Sequence, residues 1–242
     1  MATPQDVLAQ LEAIIERHYG AGSGAAKEAL ARAAGLVAVY MGGREEWLFS
    51  DLDELTAALE RAMAESGLDS VLAEFVKASE EMARAAQTIP QVTFGAVEGA
   101  RLQSALQARF TGWDKTVNDE AIGWLRDRML SQSVAPVSPT QLAEELRVVL
   151  TEKILGYADT YIDQALSDQA RATWLVTGEK LEAERYTYMG APVDKVMRPF
   201  CRERYMKTYT RAEIDAMDNG QGLSVWESGG GWRCRHQWVP EV

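Results

Sequence analysis

Two cysteines and two histidines in a chain of 242 residues leave little material for redox or metal chemistry. A single pair of cysteines is too few to staple a domain of this size, so packing has to supply the stability. No uninterrupted apolar stretch approaches the roughly 18–20 residues of a membrane helix. The opening Met-Ala-Thr-Pro-Gln-Asp lacks the basic and apolar regions of a secretory signal, so the chain is expected to be made in the cytoplasm and to stay out of membranes. Positive charge is scarce too. Against 36 Asp and Glu stand 25 Lys and Arg, and a formal charge of −11 repels a phosphate backbone, which argues against DNA wrapping and sequence-specific nucleic-acid binding. The imbalance is uneven: residues 180–242 hold 10 basic against 9 acidic side chains, and residues 1–179 hold 15 against 27. With no Gly-rich phosphate loop and no paired-carboxylate motif, enzyme activity is not expected.

What the chain does contain is helical periodicity. Leu8, Leu11, Ile14, Ile15 and Tyr19 recur at steps of three and four along one stripe, which Gly20, Gly22 and Gly24 are expected to end. An alanine-rich run from Ala25 to Tyr40 predicts a second helix, stopped by Gly42-Gly43. Asp51 and Glu54 have the spacing of a capping box ahead of Leu52, Leu55, Leu59 and Met63. Leu68, Val71, Leu72, Phe75 and Met82 predict a fourth helix that fades before Pro90. After a short extended joint at 91–96, helical spacing resumes through Leu102, Leu106 and Phe110 to Met129, and the polar, proline-bearing stretch 131–139 reads as a linker. Ser138, Pro139 and Gln141 supply an N-cap, a first-position proline and a box partner for the longest helix, 139–167.

Beyond Gly178 the pattern changes. Arg185–Met189 is rich in the aromatic and β-branched residues of a strand, Gly190-Ala-Pro192 turns it, and Thr210 with Glu213 offers another capping box. Asp218–Gly222 and Gly229–Gly231 are turn chemistry. The expected fold is mainly α: a helical-bundle body in two parts, 1–90 and 91–178, followed by a small C-terminal α+β module, 179–242.

Cys201, Cys234 and His236 form the one metal-like set. If 232–238 is extended, Cys234 and His236 share a face, Cys201 meets them from its turn, and Asp194 is the candidate fourth zinc ligand. The two cysteines can instead pair as a disulfide, or remain unbonded thiols as a cytoplasmic assembly route favours; no cofactor is otherwise expected. Cys201 with His236 as its base is a conceivable nucleophile pair supported by residue types alone, and His18 is placed on the polar side or edge of the first helix, in a solvated or capping role. Arg198, Arg202, Arg204, Arg211, Arg233 and Arg235 crowd among Tyr205, Tyr209, Trp226, Trp232 and Trp238. That mixture can grip single-stranded nucleic acid. Because acid is nearly equal in the same stretch, Arg–carboxylate pairing and an aromatic mini-core or protein interface is the expectation, organised by Arg198, Pro199, Phe200, Trp232, Arg235 and Trp238.

Five blocks of this region stand in a telling order: Tyr188-Met-Gly-Ala-Pro-Val-Asp194, Met197-Arg-Pro-Phe-Cys201, Tyr209-Thr-Arg-Ala-Glu-Ile-Asp215, Asp218-Asn-Gly-Gln-Gly222 and Gly230-Gly-Trp-Arg-Cys-Arg-His-Gln-Trp238. Together, over about residues 185–240, they resemble the C-terminal domain of phage minor head proteins, also called head-morphogenesis proteins. Family members carry Arg-Pro-Phe-Cys or Cys-x-x-Cys upstream and Cys-Arg-His or Cys-Arg-Cys near the end. Here the upstream block has Cys201 alone, followed by Arg202-Glu-Arg204, a departure from a four-ligand pattern. The resemblance implies a low-copy virion protein near the portal vertex, a minor head or head–tail connector (adaptor) component whose partners are the portal and other head or neck proteins. The helices suit packing in a homo-oligomeric ring, one face serving the bundle and a second meeting the neighbour. The alternatives are a zinc- or thiol-dependent enzyme packaged with the genome, and a nucleic-acid-binding module.

Overall fold

The computed structural model describes residues 2–131, 136–190, 197–222 and 224–241. Six helices come first: α1 (Pro4–Met41), α2 (Leu52–Glu65), α3 (Asp69–Ala86), α4 (Ala96–Leu130), α5 (Pro139–Val148) and α6 (Leu155–Lys180). Then follow β1 (Arg185–Met189), α7 (Pro199–Arg204), β2 (Thr208–Thr210), α8 (Arg211–Asp215), α9 (Val225–Ser228) and β3 (Gln237–Pro240). The protein is mainly α with a small α+β module at its C-terminal end.

Some boundaries differ from those the sequence predicts. Gly20, Gly22 and Gly24 do not end a helix, since α1 passes straight through them. A glycine in a helix interior costs about 1 kcal/mol relative to alanine, which tertiary packing overrides. At Gly22 the reason is visible: a Cβ there would lie 3.3 Å from Ile162 Cγ2, and the neighbouring Ser23 hydroxyl donates to Asp159 Oδ1 at 2.6 Å, so bare backbone lets α6 come close. The box expected at Asp51 and Glu54 does not form. Asp51 closes a short 3-10 turn, Phe49–Asp51, where its Oδ2 accepts from the Leu48 N–H at 2.9 Å, and Glu54 pairs with Arg44. Ser138 and Pro139 do open α5, but the Ser138 hydroxyl makes no cap bond, and Gln141 donates to Glu145 Oε1 at 2.9 Å.

The helix that begins at Pro139 runs past 167 to Lys180, through one π turn at Val149–Ile154. The apolar stripe goes on past Leu166 through the buried Ala170, Trp174 and Val176. Polar residues are buried beside them: Ser167, Gln169, Arg171, Thr173 and Thr177. Thr173 and Thr177 satisfy their hydroxyls on the carbonyls four residues back, at 2.9 and 2.8 Å.

Two compact units divide the chain, and neither is a sequential segment. One gathers residues 1–19, 75–109 and 163–242, the other 20–74 and 110–162. This differs from a cut at 90 and 178, because α1, α3, α4 and α6 are long enough for each to supply residues to both units. In the second unit the backbones of Trp47 and Val137 exchange hydrogen bonds of 2.9 and 2.8 Å, and the buried Trp47 indole donates to Met41 O at 3.1 Å. Of the expected linker 131–139, residues 132–135 lie outside the described residues.

The C-terminal module belongs to the first unit. There Gln169 of α6 donates to Ser79 Oγ of α3 at 2.8 Å and to Leu102 O of α4 at 3.2 Å. Lys180 Nζ and the Gly95 N–H meet the Glu98 carboxylate at 2.7 and 2.8 Å, joining the end of α6 to the start of α4. The sheet has the order β2-β1-β3 and is antiparallel throughout, with Tyr186 opposite Tyr209 and Tyr188 opposite Trp238. Tyr186 and Tyr188, two residues apart on the central strand, turn to one side and are fully buried. On the other side Thr187 and Thr208 both donate to Glu241 Oε1, at 2.9 and 2.8 Å. The expected box at Thr210 and Glu213 forms and starts α8.

Two predictions follow from these contacts. A Cβ on Gly178 would fall 2.4 Å from Tyr186 Oη and 2.6 Å from its ring, so the buried tyrosine has no room to yield. Gly178→Ala is therefore expected to destabilise the protein by about 1–3 kcal/mol in denaturant unfolding although alanine is the better helix former; an unchanged or raised midpoint would refute the contact. Bonds from Lys180, from its own amide and from Gly95 hold the Glu98 carboxyl down to about 2, below its ordinary 4.5. Its stabilisation is complete above pH 4.5 and is lost as pH falls toward about 2, so an NMR titration showing an ordinary Glu98 value would remove this lock.

Candidate functional site

Inside the module, three elements bring the sulfur and imidazole groups together. α7 begins with Arg198 as its N-cap and Pro199 at its first position, an arrangement that costs no amide bond and turns Phe200 and Cys201 inward. The expected extended run from 232 is not formed, since Trp232 and Arg233 turn, with Arg233 at φ +61°, and Cys234 and His236 come together after that turn, just ahead of β3. Tyr188 reaches the same spot from the central strand. The Cys201 and Cys234 sulfurs are 3.6 Å apart, Cys234 Sγ is 3.6 Å from His236 Nδ1, and the Tyr188 hydroxyl lies 3.5 and 3.3 Å from the two sulfurs. The imidazole stacks on Tyr188 with ring centroids 5.2 Å apart and meets Tyr205 edge-on at 5.8 Å. All three of Cys201, Cys234 and His236 are buried, and His236 Nε2 has no hydrogen-bond partner among the described residues.

The Gly229–Gly231 turn closes over this cluster and explains its own composition. A Cβ on Gly230 would sit 2.1 Å from Cys201 Sγ, and Gly229, at φ +55°, lies where a Cβ would approach Cys234 Sγ to 3.1 Å. Only backbone fits between the sulfurs and the loop. The thiols are not equivalent. The hydrogen bond between them and burial push Cys201 far above the ordinary thiol range. The same bond, with that from His236 and the charge of Arg171, pulls Cys234 down against the opposing effect of burial. Burial, then the two neighbouring sulfurs, drives the Tyr188 phenol well up, so it remains a hydroxyl.

Arg171 is the residue that sequence reasoning missed. It sits on α6 with a side chain wholly out of solvent. Its Nε donates to Glu227 O at 2.5 Å, and Nη1 donates to Cys234 O at 2.6 Å and His236 O at 3.1 Å, while Nη2 pairs with Asp168. Asp168 also accepts from Gln164 at 2.5 Å and faces Arg109 at 3.5 Å. A second tie is the Arg233 N–H, which donates to Gln164 Oε1. The only trace of this in the sequence is an Asp and an Arg three apart on a helix, which a solvated face shows equally well.

The predicted organisers take different places. Phe200 packs edge-on to Tyr188 at 6.0 Å and lies under the Arg204 guanidinium at 4.0 Å. Trp238 is buried 4.4 Å from Tyr188, its indole donating to Val225 O at 3.0 Å. Arg198 donates to Gly230 O at 3.2 Å and so holds the glycine turn. Arg235 points away from the cluster to Asp163 and Glu16. Trp232 is 37% exposed and stands outside the buried aromatic core; its backbone N–H is held by Gln221 Oε1 at 2.8 Å. Asp194 lies outside the described residues. His18 is buried, not solvated on a polar face, with Nε2 3.4 Å from Glu81, because α3 covers that side of α1. Of the arginines proposed for nucleic acid, Arg204, Arg211 and Arg235 are paired with carboxylates.

Comparison with protein-family models, with curated proteins and with solved structures gives no match for this chain.

Removing the Arg171 side chain frees three carbonyls in one step, two of them, Cys234 O and His236 O, in buried hydrogen bonds. Arg171→Met is expected to cost on the order of 3 kcal/mol in denaturant unfolding. Arg171→Lys should recover little of it, because an ammonium lacks the planar fork. A loss within 0.5 kcal/mol for Arg171→Met would show that the guanidinium holds nothing together.

Proposed function

We propose that this chain is a structural component of a tailed-phage particle, a minor head or head–tail connector protein that packs against the portal and other neck proteins near the portal vertex. The observation that carries the reading is where the family-like blocks go. Met197–Cys201 and Gly230–Trp238, far apart in sequence, meet in one mini-core with Tyr186, Tyr188, Ile214 and Val225. The Tyr209–Asp215 block supplies β2 and the capping box of α8. Asn219, from the Asp-Asn-Gly block, donates to Ser228 Oγ at 2.8 Å and to Gly229 O at 3.2 Å. The motif residues are used to make a compact shape, which is what a component working through complementary surfaces requires.

The charge agrees with that role. An acidic surface keeps packaged DNA from adhering, and Arg211 and Arg235 are taken up by the α6 carboxylates of Glu179 and Asp163. No helix among the described residues is long and apolar enough to cross a membrane. In this reading the chain makes and breaks no bond in a substrate; it assembles as a ring, with repeated contacts between copies adding up to stability.

Quantitative mass spectrometry of purified particles tests this. The chain is expected at a fixed low copy number relative to the major capsid protein, in register with the portal ring. Absence from both heads and complete particles would overturn the assignment.

A further inference from the structure

Three donor atoms in the module already stand at the spacing of a ligand set. One ligand atom from each of Cys201, Cys234 and His236 lies within 4.8 Å of the others, and the Cys201 Sγ–Cys234 Sγ and Cys234 Sγ–His236 Nδ1 distances are both 3.6 Å. A tetrahedral zinc ion, with bonds of about 2.3 Å to sulfur and about 2.0 Å to nitrogen, sets neighbouring donors about 3.5–3.8 Å apart. We propose that Cys201, Cys234 and His236 form a zinc site, the cysteines bound as thiolates through Sγ, the histidine through Nδ1, with the fourth position left to a non-protein ligand.

Chemistry separates this from its rivals. A disulfide uses two of the three groups and gives the imidazole no part; a metal ion uses all three. Two thiolates and a dication cancel, so a buried set needs no further counter-ion. Thiolate and imidazole donors select zinc over magnesium or calcium, which demand oxygen. On binding, the metal takes the place of the thiol protons, which leave to solvent, and the neutral imidazole lends a lone pair.

The surroundings fit an outer shell. Arg171 holds the carbonyls of Cys234 and His236 themselves, which fixes the aim of both side chains. The Tyr188 hydroxyl is placed to hydrogen-bond to sulfur. Gly229 and Gly230 lay bare backbone against both sulfurs. The ion would clip α7 to the lead-in of β3 across 33 residues, in a module whose sheet has only three short strands. The site is independent of the virion assignment, since either can fail without the other.

The test uses the full-length protein, purified under reducing conditions, stripped with a chelator and titrated with Zn²⁺ or Co²⁺. One ion per chain is expected. The cobalt form should show the strong visible absorption of a tetrahedral centre and a thiolate-to-cobalt charge-transfer band in the near ultraviolet. These readings need no variant, so they stand even if a substitution prevents folding. Cys201→Ser, Cys234→Ser and His236→Gln should each weaken zinc binding by more than about tenfold, the least expected for losing a group in direct contact with the metal. No stoichiometric uptake, a cobalt spectrum without charge transfer, or a Cys201–Cys234 disulfide as the form made in a reducing cytoplasm would each overturn the proposal.

Discussion

A guanidinium with no exposure to water must replace the hydration it loses, or the structure carrying it is destabilised by several kcal/mol. Arg171 makes that replacement with three main-chain carbonyls and one carboxylate, and the carbonyls come from the end of α9 and from the approach to β3. Two stretches of chain that share no strand pairing with each other are thereby fixed to one point on α6. Asp168 cannot drift, because Arg109 and Gln164 hold it from other sides. The interaction decides more than stability: by holding the carbonyls of Cys234 and His236 it sets where their side chains point.

Around that anchor the module is shaped as much by missing side chains as by present ones. Gly230 leaves the space that Cys201 Sγ occupies, and Gly178 leaves the space that the Tyr186 ring occupies against α6. Both are positions where one methyl group would meet a stiff or buried neighbour. The close approach lets a very small core, centred on Tyr188 and Trp238, reach interior packing. Small cores are otherwise marginal, and joining this one to the long helices of the same unit supplies area it cannot bury alone.

Features written in local chemistry were legible from the residues. The stop at Gly42-Gly43, the strand at Arg185–Met189, proline at the first turn of α5 and the box at Thr210 and Glu213 depend on a few adjacent residues, and each is where the pattern places it. Cys234 and His236 do meet as expected, although Trp232 and Arg233 ahead of them turn and are not extended. What the residues did not disclose depends on a distant neighbour. Gly22 is a helix residue because Ile162 comes close; Asp51 faces Leu48 because the chain tightens into a 3-10 turn. The second half of α6 buries polar side chains beside Ala170, Trp174 and Val176, and the partners of Gln169 and Arg171, Ser79, Leu102 and Glu227, lie 90, 67 and 56 residues away. Periodicity registers hydrophobicity, and it is blind to a polar group that tertiary structure has paid for with a hydrogen bond.

Those buried polar groups also say what kind of stability the first unit has. An apolar α6 of equal volume could be as stable or more so, since exchanging water for protein partners brings a charged group little net gain. An apolar surface, however, can slide along its neighbours by a turn at small cost. Gln169 cannot reach both Ser79 and Leu102 from another register, and Arg171 cannot reach its three carbonyls. Register, more than strength, is what these groups contribute. A protein proposed to work by presenting one fixed surface to many identical neighbours requires a single packing of its helices, which contacts of this kind select.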